Sequence, residues 1–293
     1  MPSILITGTT GQLGQWLRQT VPSGTNVIVP TRHALDLSQP EAINRKLKAI
    51  NPDAVINCAA YTNVDGAESD NTGAFRVNAE SPAEIAAYTS ESDIPLIHIS
   101  TDFVFDGAKP TSYTPNDAPN PLNVYGASKL AGEQAVTKAN PSATIVRTSW
   151  VYSEYGNNFV LKILELAATR PTLSIVTDQC GTPCYAKNLA DALWLLLDTP
   201  HSPQTFHFAD KGQTNRLEFA EAIVEEALSI GLLETAPVIT GCLSKDFPAP
   251  ALRPVNSALD AAEMESILNI KTIPWRTALR SMLVSYAAMR STE

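Results

Sequence analysis

The chain has 293 residues and a net charge of −9, with 44% hydrophobic and 17% charged residues, which is an ordinary globular composition. The acidic balance, which no basic stripe interrupts, argues against nucleic-acid binding. No apolar run approaches the ~20 residues that a membrane-spanning helix requires, so we expect a cytoplasmic protein that contacts neither nucleic acid nor membrane.

The cysteines indicate reduced thiols. Cys58, Cys180, Cys184 and Cys242 are irregularly spaced and do not form a disulfide framework. Cys180 and Cys184 flank a Gly-Thr-Pro turn, but no second Cys or His pair completes a zinc site. The first residues, MPSILITG, lack a basic region ahead of their apolar run, which predicts a first strand and not a signal peptide.

The first motif is a glycine loop between a strand and a helix. The strand SILIT is followed by GTTGQLG, with Gly8, Gly11 and Gly14, and then by the helix-like QWLRQTV. Glycines allow a tight turn and close backbone approach, and the helix N-terminus then faces a pyrophosphate. The strand–loop–helix context favours a dinucleotide site over a structural turn.

The second strand bears on the choice of cofactor. NVIVP at 26–30 is followed by Thr31, Arg32 and His33, with no acidic residue before Asp36. An NAD site usually presents an acid near this point for the ribose 2′-hydroxyl, whereas an arginine suits a 2′-phosphate. We therefore predict NADPH, with NADH as an alternative. The competing interpretation is that Arg32 is only a surface residue.

The next elements predict an α/β fold with a doubly wound, Rossmann-like parallel sheet. They are a helix at 40–50, a strand at 54–60, a helix from about Thr72 to Glu91, and a strand at 94–100. This alternation gives right-handed crossovers and helices on both faces. The strand at 54–60 delivers Ala59, Ala60, Tyr61 and Thr62 to the sheet edge where such folds bind ligands.

Tyr125 and Lys129 form the candidate catalytic pair. They lie four residues apart in NVYGASKLAGE, so their side chains share one helix face. An ammonium beside a phenol favours the phenolate, so we expect Lys129 to lower the pKa of Tyr125 from its usual ~10. Such a tyrosine can exchange a proton near neutral pH, as carbonyl reduction requires. Alone, the pair also fits a tyrosine packed under a solvated lysine.

The remaining chain predicts a loop and a second lobe. Residues 106–123 hold four prolines and predict a long loop or lid. After Ser153 helices dominate, with strand-like runs LSIVTDQ and QTFHFAD. We expect a dinucleotide-binding domain at 1–150, rejoined by parts of 171–210. Residues 151–293 should form mainly a smaller α+β substrate-binding lobe.

Six phrases along the chain carry a family resemblance: GTTGQLG, AAYTNVDGAE, STDFVFDG, YGASKLAGE, RTSWVY and RPVNSALD. In this order they closely resemble the extended short-chain dehydrogenase/reductases, and within them the dTDP-4-dehydrorhamnose reductases. The resemblance covers nearly the whole chain. It implies reduction of dTDP-4-dehydro-L-rhamnose, a 4-keto-6-deoxy nucleotide sugar, to dTDP-L-rhamnose with NADPH or NADH, the last step of dTDP-L-rhamnose biosynthesis.

The resemblance also implies residue roles. Tyr125 would protonate the C4 oxygen, Lys129 would hold the nicotinamide ribose, and Thr101 would hydrogen-bond the substrate carbonyl. The implied cofactor positions, besides Arg32, Tyr125 and Lys129, are Gly8, Gly11, Gln12, Leu13, Gly14, Asp36, Leu37, Ala59, Ala60 and Tyr61. The implied substrate positions are Thr62, Val64, Thr101, Asp102, Phe103 and Trp150, with Arg253 at the diphosphate and Trp150 stacked on the deoxysugar.

The chain departs from the family pattern at one point. Some members dimerise through a magnesium ion held partly by an acidic residue after the glycine loop, where this chain has Gln15, Trp16 and Leu17. We therefore predict no metal, while a homodimer remains open.

Two rival functions also remain. A nucleotide-sugar epimerase would retain NAD, against which Arg32 counts, and a non-catalytic regulatory subunit would not need the intact Thr101, Tyr125 and Lys129.

Overall fold

A parallel sheet forms the centre of the molecule. The computed structural model describes residues 1–202 and 204–290. Within them the sheet contains β1 (Ser3–Thr7), β2 (Asn26–Ile28), β3 (Ala54–Asn57), β4 (Leu96–Thr101), β5 (Thr144–Thr148) and β10 (Thr205–Phe208), numbered along the chain. Their order is β10-β5-β4-β3-β1-β2, and every neighbouring pair is parallel. The predicted α/β fold is confirmed.

Helices cover both faces of this sheet. Along the chain the described α-helices are α1 (Gln12–Gln19), α2 (Pro40–Ile50), α3 (Val64–Ser69), α4 (Asn71–Phe75), α5 (Ser81–Glu91), α6 (Val124–Ala139), α7 (Phe159–Thr169), α8 (Ala186–Asp198), α9 (Arg216–Ser229), α10 (Ala262–Leu268) and α11 (Trp275–Arg290). Ile4 and Ile6 of β1 pack into the core shared with α1 and α8, whereas Leu5 packs into the core shared with α2 and α5. Successive residues of a strand point to opposite faces, so a strand buried on both is apolar throughout.

The predicted helix from Thr72 to Glu91 is not one α-helix. It consists of α4, a π-helical turn at Arg76–Glu80, and α5. The turn places the fully buried Asn78 against α6. A Cβ atom on Gly132 of α6 would lie 2.0 Å from the Asn78 carbonyl oxygen, so the two backbones touch here. Single π turns of this kind are frequent at functional sites.

Residues after 150 contribute to the central sheet at one place. The predicted strand QTFHFAD provides β10, which pairs with β5. The other predicted strand, LSIVTDQ, provides β7 (Thr172–Val176), which pairs with β12 (Val238–Cys242) outside the central sheet. Two further short pairs join β6 (Val151–Tyr152) to β9 (Cys184–Tyr185) and β8 (Cys180–Gly181) to β11 (Thr214–Asn215). The domain division at 150 stays a prediction.

The proline-rich loop at 106–123 is anchored on the second half of the chain. Tyr113 is buried and its ring stacks on Phe105, with ring centroids 4.1 Å apart. The Tyr113 N–H donates to the Ala258 carbonyl at 2.7 Å, and the Asp260 N–H donates to the Tyr113 carbonyl at 2.8 Å. These bonds hold the loop against residues near the end of the chain.

Three further properties concern the cysteines, possible metal sites and possible membrane spans. All four cysteines carry free thiols. No group of three or more His, Cys, Asp or Glu side chains is placed to hold a metal ion in the part of the chain that the structure describes. No helix among the described residues combines the length and apolarity needed to cross a lipid bilayer.

Candidate active site

The candidate site is a cavity at the carboxyl ends of β1, β3, β4 and β5. Its volume is about 1030 Å³, at the top of the ~300–1,000 Å³ range of ligand pockets, which leaves room for two ligands. The predicted residues that line it are Gly8, Gly11, Gln12, Leu13, Gly14, Arg32, Asp36, Leu37, Ala59, Ala60, Tyr61, Thr62, Val64, Thr101, Asp102, Phe103, Tyr125, Lys129 and Trp150. Cys58, Ser149, Asn157 and Arg216 also line it and were not predicted.

The glycine loop fits a pyrophosphate. Gly8 has φ +66°, a backbone conformation that residues other than glycine rarely adopt. A Cβ atom on Gly14 would lie 2.4 Å from the Gly8 carbonyl oxygen, so the loop closes tightly onto α1. Gly11 caps α1 without any side-chain hydrogen bond, which leaves the first N–H groups of the helix open to an anion.

The adenosine end of the cavity presents one cation and one anion. The Arg32 side chain is 87% exposed and lies 3.8 Å from Asp36. Hydrogen bonds from the Ser38 backbone and hydroxyl hold the pKa of Asp36 below its usual value, so this carboxylate stays ionised. The arrangement lets Arg32 reach a 2′-phosphate from solvent while Asp36 is held by Ser38.

The wall after β3 is fixed by one buried amide. Asn78 accepts a hydrogen bond from the Tyr61 N–H at 2.8 Å and donates to the Tyr61 carbonyl at 3.0 Å. It also donates to the Ser128 hydroxyl on α6 at 2.9 Å. The strand exit that carries Ala59, Ala60 and Tyr61 is therefore tied to the helix that carries Tyr125 and Lys129.

Tyr125 and Lys129 lie in the first turns of α6. Asn123 caps this helix by accepting a hydrogen bond from the Gly126 N–H at 2.8 Å. Lys129 is buried, and its ammonium donates to the Ile99 carbonyl of β4 at 2.6 Å. Thr101 ends β4 and its hydroxyl donates to an Asp102 carboxylate oxygen at 3.0 Å. The predicted set of Thr101, Tyr125 and Lys129 is brought to one wall of the cavity.

The predicted lowering of the Tyr125 pKa by Lys129 is wrong for this structure. Burial raises the pKa of Tyr125 to about 12, opposed by a hydrogen bond from Thr101 and reinforced by the Asp102 carboxylate. Burial likewise lowers the pKa of Lys129 to about 8, although the Glu133 carboxylate opposes this. The ammonium is directed at the Ile99 carbonyl and not at the phenol, so desolvation dominates the titration of both groups.

The cavity lining also contains a strained tryptophan and a buried acid. Trp150 has φ +44°, in the left-handed region that few non-glycine residues adopt. Burial raises the pKa of Asp102 to about 6, and its Oδ2 atom has no hydrogen-bond partner within the described residues. Arg216 covers one face of the Trp150 indole, 3.5 Å from the ring centroid. A sugar that stacks on Trp150 must therefore use the other face.

Two features expected on the substrate side lie outside the cavity wall in this structure, and their roles stay predictions. Arg253 does not line the cavity, because its guanidinium forms a two-pronged ion pair with Asp65 at 2.8 and 3.1 Å. Residues 106–123 also contribute nothing to the cavity wall in the described chain. Arg216 was missed because it belongs to a helix far along the chain and to no motif.

Comparison with known proteins identifies the family. The profile of the RmlD substrate binding domain matches residues 1–288. A dTDP-4-dehydrorhamnose reductase from Aggregatibacter actinomycetemcomitans is 35% identical, over 96% of this chain and 98% of its own. One from Mycobacterium tuberculosis strain CDC 1551 is 40% identical, over 97% and 93%. The crystal structure of a Bacillus anthracis dTDP-4-dehydrorhamnose reductase in complex with NADP superposes with a TM-score of 0.90 at 32% identity, covering 97% of this chain and 99% of that one. The chain belongs to the RmlD substrate binding domain family.

Proposed function

We propose that this chain is a cytoplasmic enzyme that reduces dTDP-4-dehydro-L-rhamnose to dTDP-L-rhamnose with NADPH. The observation that carries the proposal is a single cavity that joins the glycine loop to Thr101, Tyr125 and Lys129. The named relatives, which match nearly the whole chain, are reductases of this substrate. The related structure that contains NADP supports the choice of cofactor.

The chain's own residues supply binding, orientation and a proton. When bound, the reduced nicotinamide supplies the hydride for C4 of the sugar. Tyr125 donates its phenolic proton to the C4 oxygen as negative charge develops there. Thr101 orients that oxygen by hydrogen bonding, and the buried Lys129 ammonium would hold the nicotinamide ribose beside it.

The raised pKa of Tyr125 suits a proton donor. With a pKa of about 12 the phenol is protonated at neutral pH, which is the form a proton donor needs. Arg32 counts against the rival epimerase, because an epimerase of this superfamily retains NAD, whereas an arginine at the adenosine end of the cavity suits a 2′-phosphate.

NADPH is proposed ahead of NADH because of Arg32. Its guanidinium lines the cavity at the adenosine end, where an arginine suits a 2′-phosphate. The exposure of this side chain limits the preference, since an exposed charge contact contributes ~0.2–1 kcal/mol. We expect NADPH to be preferred by no more than about fivefold, as ~1 kcal/mol allows.

The deciding experiment is oxidation of NADPH, followed by absorbance, with dTDP-4-dehydro-L-rhamnose generated in situ by the upstream enzymes. NADH is run in parallel. Sugar-dependent oxidation with NADPH ahead is expected. Tight NADPH binding without sugar-dependent oxidation would contradict the proposed substrate. A partner that co-purifies in fixed ratio with an inactive protein would favour the regulatory subunit instead.

A further inference from the structure

The cavity contains a cation, Arg216, that has no ion-pair partner among the residues that the structure describes. The Arg216 guanidinium makes no ion pair and no side-chain hydrogen bond with any residue that the structure describes. The guanidinium lies over two aromatic rings, with its Cζ atom 3.5 Å from the Trp150 ring centroid and 4.9 Å from the Phe159 ring centroid. Stacking satisfies the faces of a guanidinium but leaves its N–H groups, which lie in the plane, free to donate.

The position of Arg216 is electrostatically unfavourable without a ligand. It is the first residue of α9, whose N-terminus carries partial positive charge. Burial and the like charge of Arg253 lower the pKa of Arg216 to about 10, although the Asp102 carboxylate opposes this. The side chain remains charged at neutral pH. A half-buried cation at this end of a helix is stabilised by an anion.

The other cations of the cavity are assigned elsewhere. In the described lining the remaining basic residues are Arg32 and Lys129. Arg32 lies at the adenosine end, and Lys129 donates to the Ile99 carbonyl beside Tyr125. Arg253, which the family resemblance implied at the substrate diphosphate, is paired with Asp65. Arg216 is then the charge left for a second anionic ligand on the Trp150 side.

We propose that Arg216 binds the diphosphate of the nucleotide sugar and is the residue that selects for substrates bearing it. The identity of this diphosphate rests on the proposed function. Because the guanidinium also covers Trp150, diphosphate binding and the position of the indole beside the sugar are coupled. Truncation of Arg216 should therefore raise KM strongly and change kcat less.

The test compares ligands with and without the diphosphate. Binding of dTDP and of thymidine is measured by calorimetry, in the presence of NADP, for the wild-type protein and for Arg216→Gln. We expect the variant to weaken dTDP binding roughly ten- to a hundredfold, as for loss of a charge-assisted contact, and to leave thymidine binding unchanged. Equal loss for both ligands, or no loss for dTDP, would overturn the inference.

Two further variants separate charge from position. Arg216→Lys should recover only part of the dTDP affinity, because an ammonium neither stacks on Trp150 nor presents two parallel donors.

The binding of dTDP to Arg253→Gln is measured alongside. If it abolishes dTDP binding while Arg216→Gln does not, the diphosphate belongs to Arg253 and the inference is wrong. Arg45→Gln, on the exposed face of α2, is the matched control and should bind dTDP normally.

Stability distinguishes a ligand-binding role from a structural one. In Arg216→Gln, removal of the unpaired charge from the helix N-terminus and loss of the stacking on Trp150 and Phe159 have opposite effects, so the Tm of the ligand-free protein should change little. A lower Tm together with loss of both thymidine and dTDP binding would show that Arg216 only supports the fold. If the wild-type protein binds no dTDP, the proposed substrate fails. Binding of UDP and GDP then tests the inference. The inference is wrong if the wild-type protein binds neither nucleotide, or if Arg216→Gln weakens the binding of neither.

Discussion

The chemistry of Tyr125 depends on how much water the folded chain removes from it. Its pKa of about 12 and the pKa of about 8 for Lys129 both result chiefly from burial. Near neutral pH, Tyr125 is therefore a neutral phenol and Lys129 a charged ammonium, which are the protonation states that reduction needs. A separate prediction follows from the protonation state of each residue.

Tyr125→Phe should remove the proton donor and keep the cavity shape. We expect kcat to fall by roughly 10²- to 10⁴-fold, the usual contribution of general acid catalysis. The Kd for NADPH, measured by fluorescence titration, should change little. Tyr286→Phe on α11 is the matched control and should retain the wild-type rate. Near-normal turnover of Tyr125→Phe would remove this residue from the mechanism.

The pH profile of kcat/KM for reduction should have an alkaline limb, and also an acid limb if the reaction requires the Asp102 carboxylate. Lys129 is charged below about pH 8, so the rate should fall as the pH rises through 8, and Tyr125 should cause no loss until about pH 12. Asp102 is ionised above about pH 6, so a requirement for its carboxylate would give an acid limb there. Lys129→Met should abolish the alkaline limb. If kcat/KM of the wild-type enzyme stayed constant up to pH 10, this assignment would be contradicted.

The residues that sequence reasoning found and missed differ in a physical way. Gly8, Gly11 and Gly14 were predicted because a close approach to phosphate leaves a local spacing in the chain. The unusual φ of Trp150 and the charge of Arg216 were not predicted, because one reflects backbone strain and the other an environment assembled from distant segments. The pKa of Tyr125 was predicted in the wrong direction, since spacing gives a neighbour but not the degree of burial.

Among the secondary-structure elements, α6 connects the cofactor wall to the catalytic residues. It carries Tyr125 and Lys129, and through Ser128 it bonds Asn78 of the π turn. Gly132 permits the contact between the two backbones. The helical composition of NVYGASKLAGE predicted α6 itself, but the π turn depends on one extra residue in a helix ladder and leaves no periodic signal.

Gly132→Ala should act on both stability and catalysis. Its Cβ atom would meet the Asn78 carbonyl at 2.0 Å, so α6 or the π turn must move. We expect a loss of about 1–3 kcal/mol in the free energy of unfolding, as for overpacked cores, measured by urea denaturation. A lower kcat should accompany it because Tyr125 moves with the helix. Gln134→Ala, exposed on the same helix, should change stability by no more than ~0.5 kcal/mol. Equal stability of the two variants would show that the contact relaxes freely.

At the level of the whole molecule, the two halves of the chain are interleaved. β10 completes the sheet next to β5, and α8 packs on α1, where the Trp194 indole donates to the Leu17 carbonyl at 3.2 Å. The doubly wound sheet was predicted because alternating strands and helices specify it. The pairing of β7 with β12 was not, since pairing between distant strands has no local signature.

Interleaving predicts that NADPH stabilises regions it does not touch. A ligand at 100 times its Kd stabilises a cooperative unit by about 2.7 kcal/mol. If β10 and α8 unfold together with the cofactor-binding strands, hydrogen exchange should slow in α8 as well as in α1 when NADPH binds. NADPH added to a Lys129→Met, Arg32→Gln double variant, which should bind it weakly, is the control. Slower exchange confined to 1–150 would instead support two independently unfolding domains.

The return of β10 to the central sheet also limits how this protein could exchange parts with a relative of different sugar preference. A cut at residue 150 would leave β5 as an open edge strand, which is prone to pairing with other chains. A chimera that exchanges only substrate recognition would keep α8 and β10 with the first half and replace the segments on either side of them. For purposes of recombination the predicted substrate lobe would therefore be discontinuous, with one piece before α8 and another after β10.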